Sequence, residues 1–486
     1  MATPCSARRA AAARAPRADG PRIAQAFARA LLAELAAAAS AGAAPAEHPA
    51  SRFPDLSAPW LPTELVFGAR RPRALPLPYR AHPGTLRNRG FPPQRVWLAV
   101  AARRQHARPR ARHAGCATPL AFARAAADSP GWRADRAAPA LGRTPFERAL
   151  HPRVVAVLAE RLTWGFDVIE LGAACAAAGE GAPGPLATLA YVLFEDAGLC
   201  AEFGISEQVL LAYFSAIQAG YLAQPYHNAL HACDVLAAMN YVLTAGGIDR
   251  CLSRVELMAA LVAAAVHDFA HPGVNNAFLV AVSAPLAKRY NDTHVLENYH
   301  LCSTFAIMAR PGCNLVAGMA PADARALRRQ VVALVLATDM STHSAFMAEA
   351  ARRLGAPGGL TLASSEADRD LALRLCLKCS DISNAAKPVG YAVRWGVAIL
   401  TELFRQGDLE RTRGMAINPL CDRSLVSVSS AQQGFLDGIA RPLFAQLGAL
   451  APAVGQGAVA RIMRNSAFYA AAGKAAKPAA TTGTKA

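Results

Sequence analysis

Two pairs of histidines with a neighbouring carboxylate are the residues of this sequence most suited to carry chemistry. His227 and His231 lie four residues apart, and His267 and His271 repeat that spacing, with Asp268 directly after His267. Side chains four residues apart project from the same face of a helix, as two metal or substrate ligands would need. Burying several titratable side chains without a metal or a substrate charge is unfavourable. The pattern therefore indicates a functional site rather than core packing.

A further carboxylate, Asp381, ends an apolar segment later in the chain. Histidine and aspartate together form a nitrogen and oxygen ligand set suited to zinc or a similar ion, and a bridging carboxylate can hold a second, harder ion such as magnesium. Water held between two such ions is acidic enough to attack a phosphoryl group near neutral pH. The leaving oxygen needs a proton, so we expect a protonated histidine outside the ligand set as general acid. Spacing alone does not say which histidine this is.

The elements that must position these residues are predicted to be helices. Runs such as VELMAALVAAAVHD and DLALRLCLKCSD are too long and too rich in Ala and Leu for half-buried strands, and they are typical of buried helices. Strand patterns are scarce from residue 145 onward. The predicted fold class is all-α, a compact multi-helix bundle over residues 145–470, followed by a mobile polar tail over residues 471–486.

The N-terminal region, residues 1–144, differs in composition from the rest. The first 150 positions contain 24 Arg, no Lys, 8 acidic residues and 19 of the 33 prolines, so nearly all of the net charge of +17 lies there. Such a composition seldom packs a core, and the region is predicted to be largely disordered. Organelle targeting is an alternative to simple compositional bias, because apolar residues with helical spacing occur at Ile23, Phe27, Leu31 and Leu35.

Composition also bears on partners and location. Few aromatic residues stand between the N-terminal arginines, and such residues are needed to stack on single-stranded bases, so we expect no nucleic-acid partner. An uninterrupted apolar run of about 18 residues is absent from the sequence, and no transmembrane segment is predicted. The 11 scattered cysteines do not indicate a disulfide framework, so a reducing, cytoplasmic location is expected. The sequence does not predict an oligomeric state.

The segment from about Arg143 to Leu450 resembles the catalytic domain of class I 3′,5′-cyclic-nucleotide phosphodiesterases, and most closely the cAMP-specific types. The strings that carry the resemblance, in the family's order, are YHNALHACDV, HDFAHPGVNNAFLV, YNDTHVLENYH, LATDMSTH, KCSDISNAAKP, FRQGDLERTRGM and AQQGFLDGIARPLF. The resemblance implies an HD-type, all-helical catalytic domain. It also implies hydrolysis of cAMP, and possible hydrolysis of cGMP, to the 5′-monophosphate, which ends a cyclic-nucleotide signal.

The resemblance assigns roles to the residues of a two-metal site. The residues expected to bind the first ion, zinc, are His231, His267, Asp268 and Asp381. Asp268 is expected to bridge to the second ion, magnesium or manganese, and His227 is expected to protonate the departing 3′ oxygen. The residues expected to support the acid or organise water around the second ion are His271, Glu297, His300, Thr338 and Asp339.

At the other end of the site, the family holds the purine between a glutamine amide and apolar side chains. The substrate-binding positions assigned in this way are Tyr226, Met340, Asn384, Ile399, Gln432 and Phe435. A glutamine amide can bind adenine or guanine according to the way it points. Two departures from the cAMP-specific pattern concern that choice, because Ala385 replaces a proline and Ala392 replaces the tyrosine that fixes the glutamine. Asn384 favours cAMP, whereas Ala392 weakens the preference over cGMP.

Two other functions stay open from the sequence. A cyclic-nucleotide sensor or scaffold would bind in the same site without turnover, and another HD-type metal phosphohydrolase would act on a different phosphoester. All matched ligand and acid positions are filled, which favours catalysis. Gln432 and Phe435 favour a purine substrate over an unrelated phosphoester.

Overall fold

A computed structural model of the chain describes residues 138–179 and 181–476. Within these residues all regular structure is helical and no strand is present, which confirms the predicted all-α class. The predictions for residues 1–137, including the disordered region and its amphipathic segment, lie outside the described residues.

The helices of the described part are mostly short and are joined by short turns. In chain order they are α1 (Pro145–Ala149), α2 (Pro152–Leu158), α3 (Val168–Ala177), α4 (Pro185–Asp196), α5 (Leu199–Phe203), α6 (Glu207–Gly220), α7 (Ala229–Ala245), α8 (Arg254–Val266), α9 (Asn276–Ala281), α10 (Pro285–Arg289), α11 (Val295–Met308), α12 (Pro321–Leu336), α13 (His343–Leu354), α14 (Glu366–Asp381), α15 (Val389–Thr412), α16 (Val428–Phe435), α17 (Arg441–Leu450) and α18 (Pro452–Ala476). Single 3₁₀ turns lie at Ile248–Cys251, Met340–Thr342 and Ser383–Ala386, and a π-helical turn lies at Leu436–Ala440. Helix α18 extends six residues beyond the predicted boundary at residue 470.

No single helix of the described part is both long and apolar enough to cross a membrane. Pro321–Leu336 and Met340–Leu354 reach that length and composition only when they are taken together, and a bend of 74° separates them.

Helix α7 lies at the centre of the bundle and packs against α4, α8 and α14. Its sequence, ALHACDVLAAMNYVLTA, is apolar on nearly all faces, and most of its residues are buried. Helix α8, RVELMAALVAAAV, is buried along almost its whole length. A helix that is apolar all round is stable only when neighbours cover every face, so these two helices form the interior of the domain.

The ends of three helices bring the predicted metal ligands together. Asn228 caps α7 by accepting hydrogen bonds from the first backbone N–H groups, including that of His231, which places His231 in the first turn. Helix α8 ends at its cap residue His267, and Asp381 is the last residue of α14. The carboxyl end of a helix carries partial negative charge, so two such ends make this region favourable for cations.

A buried ion pair fixes the start of α15 against α7. The Lys387 Nζ atom contacts Asp234 Oδ1 of α7, and the Tyr391 hydroxyl donates to the same carboxylate oxygen at 3.0 Å. The Asn465 amide of α18 donates to the backbone carbonyls of Ala385 and Lys387, each at 2.9 Å. These contacts hold the beginning of α15, a helix of 24 residues, against both the central helix α7 and the last helix α18.

Candidate active site

The four predicted metal ligands lie close together, although they come from the ends of three separate helices. His267 Nε2 lies 3.3 Å from His231 Nε2, 3.1 Å from Asp268 Oδ2 and 3.3 Å from Asp381 Oδ1. His231 Nε2 lies 3.4 Å from Asp268 Oδ2 and 3.2 Å from Asp381 Oδ1. Metal–ligand bonds of about 2.0–2.1 Å place the donor atoms of a tetrahedral site about 3.3–3.4 Å apart. The four donors therefore have the spacing that one bound ion requires, and we refer to them as the primary cluster.

Hydrogen bonds and charge prepare the primary cluster for a cation. His267 Nδ1 lies 3.0 Å from the carbonyl oxygen of Ala264, so this nitrogen carries a proton and Nε2 is the ring atom that faces the cluster. Burial alone would lower the pKa of His267, but the charges of Asp268 and Asp381 raise it well above its ordinary value. The cluster thus attracts positive charge strongly, and all four donors can share a divalent ion.

His227 lies beside the primary cluster and is held by Glu402, a residue of α15. The His227 Nδ1 atom is 2.5 Å from Glu402 Oε1. The other carboxylate oxygen, Oε2, accepts the backbone N–H groups of Tyr226 at 2.9 Å and His227 at 3.1 Å. Because Nδ1 is engaged, Nε2 is the nitrogen left to act on a substrate, and it lies 3.8 Å from Asp268 Oδ2.

The electrostatic surroundings keep His227 protonated at neutral pH. Burial opposes the charged imidazole, but the negative charges of Glu402 and Asp268 outweigh burial and raise the pKa of His227 to about 9. The same interaction lowers the pKa of Glu402 to about 2, again against the effect of burial. His227 is therefore an imidazolium whose Nε2–H can be given to a leaving group.

Two neutral histidines lie next to this imidazolium. The His271 ring stacks on His227 with centroids 3.9 Å apart, and its Nδ1 accepts the backbone N–H of Gly273 at 3.0 Å. Burial and the charge of His227 lower the pKa of His271 to about 3. The His300 ring lies on His271, with centroids 5.8 Å apart, and its Nε2 is 3.9 Å from Asp268 Oδ1. Burial lowers the pKa of His300 to about 4. The stacked rings support His227 without adding positive charge.

The residues predicted to organise water lie on separate elements. Glu297 is in the first turn of α11, where the Asn276 amide donates to both of its carboxylate oxygens at 3.3 and 3.0 Å. Asp339 precedes the 3₁₀ turn after α12, and its Oδ2 lies 2.7 Å from His294 Nδ1. Burial and the charge of Asp339 raise the pKa of Glu297 to about 7. The Thr338 hydroxyl donates to the Val335 carbonyl at the end of α12, at 2.8 Å.

The predicted purine-binding residues occupy two groups of contacts. The Asn384 Nδ2 atom donates to the Tyr226 hydroxyl at 2.9 Å, and the Tyr226 ring lies against His231 with centroids 4.5 Å apart. Gln432 of α16 donates from Nε2 to the Gly396 carbonyl of α15 at 3.5 Å. Ile399 and Phe435 are half-buried on the same helices as Gly396 and Gln432, respectively, whereas Met340 is 39% exposed.

The residues around Gln432 bear on the effect of Ala392. Tyr391 is engaged in the buried ion pair described above, so it does not replace the missing tyrosine, as the helical geometry predicts. Tyr469 of α18 approaches Gly396 from the same side as Gln432. A Cβ atom on Gly396 would lie 2.7 Å from the Tyr469 hydroxyl and 3.0 Å from Gln432 Oε1. Glycine is therefore required where the amide and the hydroxyl meet α15.

Two residues of this region were not found from the sequence. Glu402 binds His227, and His294 pairs with Asp339. Glu402 stands in the mostly apolar segment VAILTELF, three residues after Ile399, and an acidic residue in such a segment was the available signal. His294 follows a short polar segment and carried no comparable signal.

Comparison with known proteins agrees with this geometry. Residues 226–459 match the protein family described as 3′5′-cyclic nucleotide phosphodiesterase. A 3′,5′-cyclic-AMP phosphodiesterase of Drosophila melanogaster, isoform F, is 35% identical over 293 residues, which are 59% of this chain and 43% of that protein. The 3′,5′-cyclic-AMP phosphodiesterase 4C of Mus musculus is 35% identical over 286 residues, which are 58% of this chain and 41% of that protein. The chain thus spans less than half the length of either relative.

A solved structure is also similar. It is the crystal structure of the phosphodiesterase domain of the RhoPDE fusion protein from the choanoflagellate Salpingoeca rosetta. The TM-score is 0.60 at 26% sequence identity, and the alignment covers 66% of this chain and 98% of that chain. The similarity therefore extends over nearly the whole of that domain.

Proposed function

Because residues 226–459 form a domain of the 3′5′-cyclic nucleotide phosphodiesterase family, we propose that this chain hydrolyses cAMP to 5′-AMP. The observation that carries the proposal is the primary cluster of four metal-binding donors with the imidazolium of His227 3.8 Å from its Asp268. The relatives with cyclic-AMP phosphodiesterase in their names support the choice of substrate.

The donor chemistry supports the choice of metal ions. His231 and His267 supply two imidazole nitrogens to the primary cluster, which suits zinc, and we propose zinc there. Asp268 supplies a carboxylate that can also hold a harder ion, for which we propose magnesium or manganese. When bound, such ions stabilise negative charge on phosphoryl oxygens and lower the pKa of water.

Proton transfer to the leaving group is the task of His227. Its Nε2–H faces the primary cluster, and we propose that it protonates the 3′ oxygen as the bond to phosphorus breaks. Glu402 holds the ring through Nδ1 and stabilises the charged form before transfer. Because the pKa of His227 is about 9, the neutral imidazole recovers a proton from water at neutral pH and the acid is ready for the next substrate.

The choice of base is proposed to favour adenine. The contact with the Tyr226 hydroxyl engages Asn384 Nδ2 and thereby orients the amide, so its carbonyl oxygen is the group suited to meet a base. Adenine carries an amino group that donates to such an oxygen, whereas guanine presents a carbonyl oxygen at the equivalent position. A preference for cAMP with slower hydrolysis of cGMP is the expected result.

The direct test compares the release of 5′-AMP from cAMP with the release of 5′-GMP from cGMP, with added magnesium and after treatment with chelator. Release of 5′-AMP that chelator abolishes supports the proposal, and comparable release of 5′-GMP would assign a dual specificity. A folded, metal-loaded protein that binds cAMP without releasing product would favour the sensor or scaffold instead. Hydrolysis of simple phosphoesters but not of cAMP would favour another HD-type phosphohydrolase.

The role of His227 has its own control. The His227→Ala variant should retain its metal content and lose activity about 100-fold or more, since an acid that protonates a poor leaving group contributes on that scale. Metal content separates this outcome from damage to the primary cluster. An unchanged rate would assign the acid to another residue.

A further inference from the structure

A second group of metal-ligating side chains lies outside the primary cluster, at the start of α11. We propose that His294, Glu297 and Asp339 bind an additional divalent transition-metal ion of the zinc class, and that this ion slows hydrolysis. The three side chains are called the α11 cluster below. The binding site stands on its own geometry, whereas the inhibitory effect rests on the proposed function.

The donor atoms of the α11 cluster converge from two parts of the chain. One ligand atom of each residue lies within 4.8 Å of the ligand atoms of the other two. His294 is the residue directly before α11 and Glu297 lies in the first turn, so both side chains are at the same end of that helix. Asp339 Oδ1 accepts the backbone N–H of Ser341 at 2.7 Å, while Oδ2 lies 2.7 Å from His294 Nδ1.

The charge of the α11 cluster favours a cation. Glu297 and Asp339 are 8% and 7% exposed, so two carboxylates are held close together in a poorly solvated place. Within the described residues neither forms an ion pair with arginine or lysine, and the only contact of that kind is between Asp339 and His294. Lys378 interacts with both charges at longer range, but its Nζ donates to the Ala337 carbonyl. A divalent ion would compensate both carboxylates at once.

The donor types indicate which metal ion fits. One imidazole nitrogen and two carboxylates supply three protein ligands, which is the number found in open zinc sites that leave a further position for water. Magnesium prefers oxygen donors alone, whereas an imidazole favours zinc and its neighbours. The His294 side chain is 27% exposed, which gives an ion a route from solvent.

Occupation of the α11 cluster should affect catalysis through two shared residues. Glu297 and Asp339 are also predicted to organise water around the second catalytic ion. Asp268 of the primary cluster contributes to the electrostatic environment of Glu297, so the two regions are coupled. An ion bound by Glu297 and Asp339 would withdraw them from that water network and slow hydrolysis.

The test counts zinc ions bound per chain. The whole protein is stripped with chelator, equilibrated at a buffered concentration of free zinc, and its metal content is measured by elemental mass spectrometry. The His294→Asn variant removes the imidazole, while Asn still suits the helix cap and the left-handed backbone at this position, where φ is 46°. His151→Asn is the matched control, because His151 is an exposed histidine that caps α2.

The expected result is a loss of about one zinc ion per chain in His294→Asn, with no loss in His151→Asn. Equal zinc content in the wild type and His294→Asn would overturn the site. Excess zinc should slow cAMP hydrolysis by the wild type and by His151→Asn more than by His294→Asn. Equal inhibition of all three would overturn the inhibitory effect.

A third variant separates this proposal from the proposed function. Asp381→Asn should lose zinc from the primary cluster while His294 still binds its own ion, so the double variant Asp381→Asn, His294→Asn should bind less zinc than Asp381→Asn alone. If the wild type does not hydrolyse cAMP but this difference is observed, the proposed function fails and the α11 site stands. If cAMP is hydrolysed and the difference is absent, only the α11 site fails.

Discussion

Replacing Glu402 by Gln tests the link between a buried carboxylate and the protonation of His227. In the wild type, one Glu402 oxygen binds His227 Nδ1 and the other accepts two backbone N–H groups. Gln preserves the size of the side chain but removes its charge and one of its two acceptors. His227 should therefore lose the interaction that keeps it charged, and the pKa of His227 should fall.

The size of the effect follows from the fraction of His227 that is protonated. With a pKa of about 9, more than nine in ten His227 side chains are charged at about pH 7.5. Without the Glu402 carboxylate, only the charges of Asp268 and Asp381 oppose the effect of burial, and at the ordinary pKa of 6.5 only about one in ten would be charged. The rate of cAMP hydrolysis should fall about tenfold or more at this pH. The ratio of variant to wild-type rate should rise as pH falls, because acid restores the imidazolium.

The assay measures kcat/KM for cAMP from about pH 5.5 to 8.5, together with the metal content of each protein. Glu410→Gln is a matched control, since Glu410 is a buried carboxylate of the same helix that accepts from Gln406 and from the backbone of Asn418. That variant should show the wild-type pH profile. An unchanged profile for Glu402→Gln at normal metal content would refute the assignment of Glu402 as the residue that keeps His227 charged.

Three further predictions concern the metal ligands, the purine end and the packing of α15. Asp381→Asn should abolish hydrolysis and reduce bound zinc, and full activity with normal metal content would contradict the primary cluster. Gly396→Ala would place a methyl group 3.0 Å from Gln432 Oε1, so the KM for cAMP should rise severalfold with little change in kcat, whereas an unaltered KM would exclude Gln432 from substrate binding. Lys387→Met leaves Asp234 buried without its charged partner and should lower the free energy of unfolding by about 3–5 kcal/mol in urea titrations, while a loss below about 1 kcal/mol would show that the pair is dispensable.

The helical fold and the primary cluster were predictable from local patterns. Long Ala/Leu-rich runs specify buried helices whatever their partners are, and α8 and α14 confirm this prediction. His231 and His267 are each four residues from a second histidine, and Asp381 stands out as a carboxylate at the end of an apolar segment. The family resemblance then assigned these residues to one metal site. The family assignment is confirmed by the comparisons.

The contacts of Glu402 and His294 could not be predicted in the same way. Glu402 lies 175 residues from His227 in the sequence, so only the packing of α15 brings the two together. His294 meets Asp339 across 45 residues and two elements. Local periodicity gives the face of a helix but not the neighbour opposite it, and one sequence without an alignment offers no pairing information. The cytoplasmic location and the disorder of the N-terminal region stay predictions.

Helix α15 places a constraint on how this site can change during evolution. Gly396 and Glu402 are six residues apart on it, about 9 Å along the axis, and Gly396 borders the Gln432 amide while Glu402 binds His227, the proposed acid. A shift of this helix to accommodate a different base would also displace the carboxylate that keeps His227 charged. Substrate range and acid strength are thus not independent traits. New base preferences should arise by exchange of single side chains such as Ala392, with the helix itself left in place.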